Sequence, residues 1–408
     1  MKASIKSINY TKNKISNSVN LNGKNLIIAG NNGAGKTQFL SKAHNYIQNI
    51  VNSDQFKTME ELESQREELT KSYNEHINDG SLKTHFSIQL GGVNNFIAAS
   101  SDFNISFSGL DKLRAHPLQT NFILKMFPAI REAKIANDGK INSLETLTNE
   151  YRQTLQYNNS ADAGIFFERY LVTVWNYGFL KKAIEDTNEF VDILNIITSI
   201  QNDLRELFED DSLVMTFNIE ELKIFIEQKD KEKFGLDQLS SGFSSLLSIY
   251  TELLIRCHLS QVEKSEMTGI VLIDEIDAHL HVTLQKKILP FFTRSFPQIQ
   301  FIVTTHSPFV IQSVSDAVIL NLTTTEQMED LSLYSYTSII KGLLGEDVAS
   351  DKLSSYVEEL LKLNAANNFN ERFNEIVNLL DENILSLDNK SKAALFSAKN
   401  NLMDFKEE

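Results

Sequence analysis

The chain has few of the features that cross-link a protein, place it in a membrane or attach it to polyanions. Its 408 residues include one cysteine, Cys257, so no disulfide can form within the chain, as is usual in a reducing compartment. No apolar run approaches the ~18 residues that a membrane-spanning helix needs, and residues 1–6 lack the apolar core of a signal peptide. We therefore expect a cytoplasmic protein without membrane contact.

Positive charge is also in short supply. Lys and Arg total 39 against 54 for Asp and Glu, which gives a net charge of −15. Because an acidic surface does not favour sequence-independent binding to DNA phosphates, contact with DNA would need a local basic patch. Hydrophobic residues make up 42% of the chain, enough to bury a substantial core.

What the chain does contain is a phosphate-binding loop in the context that supports it. Residues 25–29 form an apolar run typical of a strand buried on both faces, and residues 30–37 match G-x-x-x-x-G-K-[ST] before a helical pattern. The glycines let the backbone turn around phosphate, Lys36 reaches the β- and γ-phosphates of ATP, and Thr37 ligates Mg²⁺. The predicted nucleotide-binding residues are Gly30, Asn31, Asn32, Gly33, Ala34, Gly35, Lys36 and Thr37.

Two further apolar runs end in residues that suit phosphoryl chemistry. Residues 270–273 lead into Asp274 and Glu275. A carboxylate at the end of a strand can hold Mg²⁺ through water, and the next carboxylate is placed to polarise an attacking water. Residues 301–305 lead into His306. If the two strands are neighbours, His306 lies level with Asp274, where it senses the γ-phosphate or holds the water.

A serine-glycine segment marks the start of another helix. Residues 239–243 read Leu-Ser-Ser-Gly-Phe and precede an apolar helical pattern. Ser240 or Ser241 is expected to cap this helix, and Gly242 permits the close approach of a phosphate. Taken alone, this segment is an ordinary helix N-terminus. A role in nucleotide binding is indicated only by its occurrence together with the phosphate-binding loop and the segments at Asp274–Glu275 and His306.

The four segments, in this order, resemble the Walker A, signature, Walker B and switch-histidine motifs of the ABC-type ATPase superfamily. The resemblance implies a homodimer, or a higher even-numbered oligomer, that sandwiches ATP and Mg²⁺ between head-to-tail chains. In that arrangement Ser241 and Gly242 act on the nucleotide held by the partner chain, and Ser240 is a further candidate nucleotide-binding residue. It also implies that Glu275 is the general base and His306 the switch.

Details of the sequence narrow the branch. Residues 274–277, Asp-Glu-Ile-Asp, resemble SMC and RecF proteins. Residues 279–281, His-Leu-His, and 305–308, Thr-His-Ser-Pro, resemble OLD-type ATPases and the AAA_15/AAA_21 ATPases of anti-phage systems, including the Septu and retron-associated PtuA type. Residues 127–131, Phe-Pro-Ala-Ile-Arg, are similar to a turn found there, which makes Arg131 a candidate nucleotide-binding residue.

The chain also departs from these families. His281 replaces the usual loop aspartate, and the Q-loop glutamine is left open between Gln89 and Gln119. OLD proteins carry a C-terminal nuclease, whereas the residues after His306 read as mostly helical, without an Asp-x-Asp on a strand. Nuclease activity in this chain is therefore not expected.

The predicted fold is α/β: an ABC-type P-loop ATPase head with a mixed or parallel sheet and flanking helices, helical insertions and a helical C-terminal tail. Alternating or continuous apolar patterns predict strands at residues 85–90, 95–99 and 122–127, and a hairpin formed by residues 213–217 and 221–227. The predicted boundaries are 1–50, 81–135 and 213–334 for the three parts of the head, 51–80 and 136–212 for the insertions, and 335–408 for the tail.

The resemblance implies an Mg²⁺-dependent ATP hydrolase that acts as a sensor and regulator in anti-phage defence. The expected partner is a separately encoded effector such as an HNH nuclease, joined in retron systems by a reverse transcriptase and its DNA. Two alternatives stay open: a RecF- or SMC-like ATPase of DNA repair or DNA binding, and a nucleotide-gated scaffold with little hydrolysis.

Overall fold

A computed structural model describes residues 3–53, 55–115, 121–135, 139–157, 162–344 and 350–407. The chain divides into two compact units, Met1–Tyr336 and Thr337–Glu408. Gln119, one Q-loop candidate, and residues 136–138, where the second insertion is predicted to begin, lie outside the described residues. None of the helices that are described combines the length and the apolar character that crossing a membrane would demand.

The described strands form three sheets. In chain order the strands are β1 (Ser4–Lys12), β2 (Ile15–Asn20), β3 (Asn25–Ala29), β4 (Phe103–Ser108), β5 (Phe122–Phe127), β6 (Val214–Asn218), β7 (Lys223–Glu227), β8 (Phe234–Gly235), β9 (Thr268–Ile273), β10 (Ile299–Thr304), β11 (Ala317–Asn321) and β12 (Glu326–Glu329). The strand orders are β2-β1-β4, β12-β11-β3-β10-β9-β5 and β6-β7-β8.

Helices flank these sheets and make up the second unit. In chain order they are α1 (Lys36–Asn52), α2 (Met59–Glu75), α3 (Gly80–Ser100), α4 (Leu110–Arg114), α5 (Leu144–Tyr157), α6 (Phe167–Ala183), α7 (Thr187–Phe208), α8 (Ser241–Ser260), α9 (Val282–Gln285), α10 (Ile288–Ser295), α11 (Pro308–Ile311), α12 (Tyr336–Ile339), α13 (Asp351–Ala365), α14 (Glu371–Glu382) and α15 (Asn389–Glu407). A 3-10 turn, Ala163–Phe166, leads into α6.

The central six-stranded sheet brings three of the four predicted motifs, those after β3, β9 and β10, to the carboxyl ends of neighbouring strands. Strands β11, β3, β10, β9 and β5 run parallel, and β12 closes one side in the antiparallel sense. The inner parallel strands β3, β9 and β10, together with β11, are buried almost throughout, as their continuous apolar runs predict, whereas β5 at the edge is half-buried. Strand β10 lies between β3 and β9, which confirms that the strands before Asp274 and His306 are neighbours. The predicted α/β fold class is confirmed.

A second layer packs α1 between the central sheet and the antiparallel sheet β2-β1-β4. The buried side chain of Gln300 on β10 ties the two sheets together. Its amide oxygen accepts from the Ile5 amide at 2.7 Å, and its amide nitrogen donates to the Lys24 carbonyl at 2.7 Å. This polar bridge fixes the two sheets relative to one another, because its partners are buried backbone groups.

Residues 85–90 and 95–99, predicted as strands, lie instead within α3, so this prediction is wrong. Helix α3 forms a hairpin with α2 and buries Val93 alone among its residues. Apolar residues recur at helical spacing when one face of a helix is buried. Because α3 buries so little, its apolar residues do not follow that spacing. Its start is set by Asp79, whose carboxylate accepts from the Ser81 and Leu82 amides at 3.0 and 3.1 Å. Gln89 is exposed in this helix.

Helices α5, α6 and α7 occupy the region predicted as the second helical insertion, and the predicted hairpin follows as β6 and β7. The end of α7 contacts the start of α8 through Phe208 and Phe243, whose rings stack at 4.3 Å between centroids. The second unit has a core of its own, which Leu360, Phe373 and Leu395 help to form.

Candidate nucleotide-binding and catalytic site

The loop between β3 and α1 has the backbone shape that a phosphate cradle requires. Gly30, Gly33 and Gly35 have φ values of 138°, 78° and 92°, which side-chain-bearing residues rarely adopt. A Cβ on Gly30 would lie 2.9 Å from the hydroxyl of Thr323, whereas a Cβ on Gly33 would meet nothing within 4 Å. The loop is therefore anchored at its start and open at its centre.

Thr323 anchors this loop, and sequence reasoning missed it. Its hydroxyl accepts a hydrogen bond from the Asn31 amide at 2.9 Å. Thr323 follows β11, which pairs directly with β3. No local pattern marks the residue, because its role depends on a contact across almost 300 positions of sequence.

Lys36 lies inside the loop and close to the acidic strand ends. Its side-chain nitrogen donates to the carbonyls of Gly30 and Asn31 at 2.9 and 3.1 Å, and the residue is 7% exposed. Burial lowers the pKa of Lys36, while Glu275 and Asp274 act in the opposite direction. Lys36 thus lies within the electrostatic reach of the predicted catalytic carboxylates.

The remaining loop residues present polar groups to the outside. Asn31 and Asn32 are exposed, and Ala34 is half-buried against the core. Thr37, in the first turn of α1, is exposed directly after buried Lys36. An exposed hydroxyl beside a buried ammonium fits the donor set of a phosphate-bound Mg²⁺.

Thr304 organises the Walker B end of the site, although the sequence did not single it out. Its buried hydroxyl donates to the Asp274 carboxylate at 2.5 Å and accepts from the Glu275 amide at 2.7 Å. Glu275 itself has a φ of 45°, a left-handed conformation that is uncommon outside glycine and asparagine. The neighbouring Thr305 donates to Asp277 at 2.5 Å, so two adjacent threonines of β10 and its end hold the acidic turn.

Arg131 lies against the same turn. Its guanidinium donates to the carbonyls of Asp274, Glu275 and Ile276 at 2.8, 3.3 and 3.3 Å. It is 9% exposed, and burial lowers its pKa to about 10. These contacts hold the backbone of the acidic turn; binding of nucleotide by Arg131 stays a prediction.

The signature segment, at the start of α8, does not contact the phosphate loop through hydrogen bonds in the described part of the chain. Ser240 occupies the N-cap position of α8, as predicted, but its side chain forms no capping hydrogen bond. Ser240 and Ser241 are exposed, and the hydroxyl of Ser244 accepts from the Ala133 amide at 3.0 Å. Among the described residues, no hydrogen bond of residues 240–243 reaches the Walker A loop of the same chain. Hydrogen bonds within one chain therefore do not connect the signature segment to the phosphate loop.

His306 follows β10 and is half-buried at the edge where Asp274 and Glu275 lie. The turn after it is fixed by Ser307, which caps α11 and donates to Gln285 at 2.7 Å. His281, the residue in place of the usual loop aspartate, occupies the N-cap position of the short helix α9. The switch-histidine turn is therefore attached to the segment that follows the acidic turn.

Fold and motifs together define a P-loop ATPase domain. Residues 129–312 match the AAA_21 family model, "AAA domain, putative AbiEii toxin, Type IV TA system". The match confirms the predicted resemblance to AAA_21-type ATPases over these residues.

Curated relatives point to the same group. The Retron Ec83 probable ATPase of Escherichia coli is 33% identical over 147 residues, which cover 33% of this chain and 27% of the relative. The Septu protein PtuA of Bacillus mycoides (strain KBAB4) is 30% identical over 166 residues, which cover 38% of this chain and 23% of the relative. The matched part thus spans about a quarter of the length of these relatives. The resemblance to AAA_21-type ATPases of anti-phage defence is confirmed.

A solved structure, an SMC head bound to the C-winged helix domain of ScpA, aligns with 78% of this chain and 94% of its own. Its sequence identity is 11% and its TM-score 0.36.

Proposed function

We propose that this chain is an Mg²⁺-dependent ATPase that works as a dimer, two chains closing around ATP. In the same proposal it is the sensor and regulator of a separately encoded effector in anti-phage defence. The effector class that we expect is an HNH nuclease.

The observation that carries the proposal is the position of Lys36, which the Gly30 and Asn31 carbonyls hold in the loop, within electrostatic reach of Asp274 and Glu275 and beside exposed Thr37. ATP supplies the transferable phosphoryl group, and Mg²⁺ offsets part of its charge. Lys36 and the loop amides bind phosphate, while Thr37 and Asp274 hold the metal with its water. Glu275 takes the proton of the attacking water, and His306 orients that water.

The dimer is supported by the exposed start of α8. The amides of a first helical turn attract an anion, and Ser240 and Ser241 leave this turn open to a second molecule. Because no hydrogen bond of residues 240–243 reaches the Walker A loop of the same chain in the described ranges, a nucleotide held by the partner chain is the ligand that we expect at this helix start.

The defence role is supported by the names of the relatives, a retron ATPase and a Septu protein. The acidic net charge of −15 favours regulation through a protein partner over broad binding to DNA.

The test combines biochemistry with genetics. The chain is purified alone and together with the product of the neighbouring gene, with ATP and Mg²⁺ present or absent, and phage plating is measured in parallel. We expect ATP hydrolysis, an ATP-sensitive complex and reduced plating, all lost in Lys36→Ala. Lys42→Ala, an exposed lysine on the same helix, is the matched control and should behave like the wild type.

Absence of ATP hydrolysis would contradict the enzymatic part of the proposal. Failure to form a complex with the neighbouring product would contradict the regulatory part. Turnover that rises with added DNA and weakens with salt would point instead to a DNA-dependent ATPase.

A further inference from the structure

The backbone of Glu275 lies in the left-handed region, with a φ of 45°. A glutamate in the left-handed region is strained, and such a conformation persists only where surrounding contacts impose it. Strained residues concentrate at functional sites, and Glu275 is the proposed general base.

Both polar groups of the Glu275 backbone have partners from distant parts of the chain. The N–H donates to the hydroxyl of Thr304 at 2.7 Å, and the carbonyl accepts from the guanidinium of Arg131 at 3.3 Å and, within the turn, from the Ala278 amide at 2.9 Å. The two side-chain partners come from opposite sides in sequence, 29 positions after Glu275 and 144 before it.

The same two side chains also hold the flanking residues. Thr304 donates to the carboxylate of Asp274 at 2.5 Å, and Arg131 donates to the Asp274 and Ile276 carbonyls at 2.8 and 3.3 Å. Thr304 is fully buried and Arg131 is 9% exposed, so water does not compete effectively for these bonds.

We propose that Thr304 and Arg131 are positioning residues that clamp the acidic turn from both sides and thereby aim the Glu275 carboxylate and fix the metal-binding Asp274. This inference rests on the proposed ATPase function of the same site. Neither side chain needs to touch nucleotide, because each acts through the backbone or the carboxylate of a catalytic residue.

One arm of the clamp continues to the signature helix. Two residues after Arg131, the amide of Ala133 donates to Ser244 at 3.0 Å, in the first turn of α8. The segment that holds the Walker B turn of one pocket is thus attached to the helix that would serve the other pocket of a dimer. Movement of α8 would reach Glu275 through this connection.

The test uses Thr304→Val, which removes the hydroxyl at nearly constant volume, and Thr304→Ser, which keeps it. We expect Thr304→Val to lower kcat at least tenfold and to raise the Mg²⁺ concentration for half-maximal turnover several-fold, with the KM for ATP changed less than threefold. Thr304→Ser should restore most of the turnover. Thr293→Val, which removes a comparable hydroxyl bonded to Leu289 on α10, is the control for unspecific damage.

A second measurement does not depend on activity. Hydrogen–deuterium exchange of residues 274–278 should be at least tenfold faster in Thr304→Val and in Arg131→Lys than in the wild type, while the melting curves remain cooperative. The clamp would be overturned if Thr304→Val had the kcat, the Mg²⁺ dependence and the exchange rates of the wild type. It would also be overturned if Thr304→Ser lost as much turnover as Thr304→Val. If residues 274–278 exchange more slowly in the wild type than in both variants, but the wild type hydrolyses no ATP, the proposed function is refuted and the clamp is supported.

Discussion

Gly242 packs directly on the backbone of His279, and a Cβ at position 242 would lie 2.5 Å from the His279 carbonyl oxygen. This contact joins the signature segment to the turn that follows the acidic residues, within one chain. A side chain at position 242 would therefore clash with His279 even when no phosphate is bound.

Gly242→Ala is expected to destabilise the nucleotide-free protein by about 1–3 kcal/mol, because the new methyl group must displace backbone rather than a flexible side chain. Chemical denaturation of the chain without ATP measures this. Gly91→Ala is the control, since Gly91 lies in α3 with open space around it, and there the change should be neutral or stabilising by about 0.5–1 kcal/mol. Equal stability of Gly242→Ala and wild type would show that the packing against His279 is loose.

Glu275→Gln is expected to lower the ATP turnover rate by a factor on the order of 100 or more, because an amide cannot take a proton from water. Binding of ATP should persist, since Lys36 and the loop amides are untouched. Calorimetric titration with ATP and steady-state hydrolysis separate the two effects. Unchanged turnover would remove Glu275 from the role of general base and favour a nucleotide-gated scaffold.

Thr37→Val is expected to weaken the response to Mg²⁺ more than the response to ATP, because the exposed hydroxyl is the proposed metal ligand in the first turn of α1. Thr37→Ser keeps the hydroxyl and should stay close to the wild type. Turnover measured over a series of Mg²⁺ concentrations, with EDTA as the zero point, gives the comparison. If Val and Ser variants shared one Mg²⁺ dependence, Thr37 would not be a metal ligand.

The pH dependence of stability should carry a contribution from His258. Burial lowers the pKa of His258 to about 4, and its ring contacts the hydroxyl of Tyr170 at 2.9 Å. In the unfolded chain the pKa of His258 is about 6.5. Between pH 6.5 and pH 4 the unfolded chain therefore binds a proton at this residue while the folded chain mostly does not, so stability falls as the pH falls. From pH 7 to pH 4 the loss is on the order of 3 kcal/mol.

His258→Gln removes this titration, so the stability difference between wild type and variant should shrink by that amount on acidification. Denaturation curves of both proteins across the pH range test the point, and the difference cancels the titration of other groups such as Glu61. A pH-independent difference would mean that His258 titrates normally in the folded state.

The parts of the site that follow continuous stretches of sequence could be predicted. The strand before Gly30, the helix from Lys36, the adjacency of the strands ending at Asp274 and His306, and the hairpin at β6 and β7 are all present. Each belongs to a segment whose apolar pattern is imposed by burial in the main core.

Two kinds of feature could not be predicted. The alternating pattern at residues 85–90 suggested a strand, but α3 faces so little core that its pattern carries no information about burial. Thr304, Thr323 and the backbone contacts of Arg131 depend on hydrogen bonds between residues far apart in sequence. Only the folded sheet brings such partners together, so local spacing does not reveal them.

Mixing two inactive variants decides whether each pocket is built from two chains. Lys36→Ala spoils the phosphate loop and Ser241→Ala the signature, and each variant alone should hydrolyse ATP slowly. In a mixed dimer one pocket combines the intact loop of one chain with the intact signature of the other. Random exchange of subunits should then restore up to about a quarter of the wild-type rate, since half of the dimers carry one sound pocket of two. No recovery in a mixture shown to exchange subunits, or full turnover by an isolated single chain, would contradict the shared pocket.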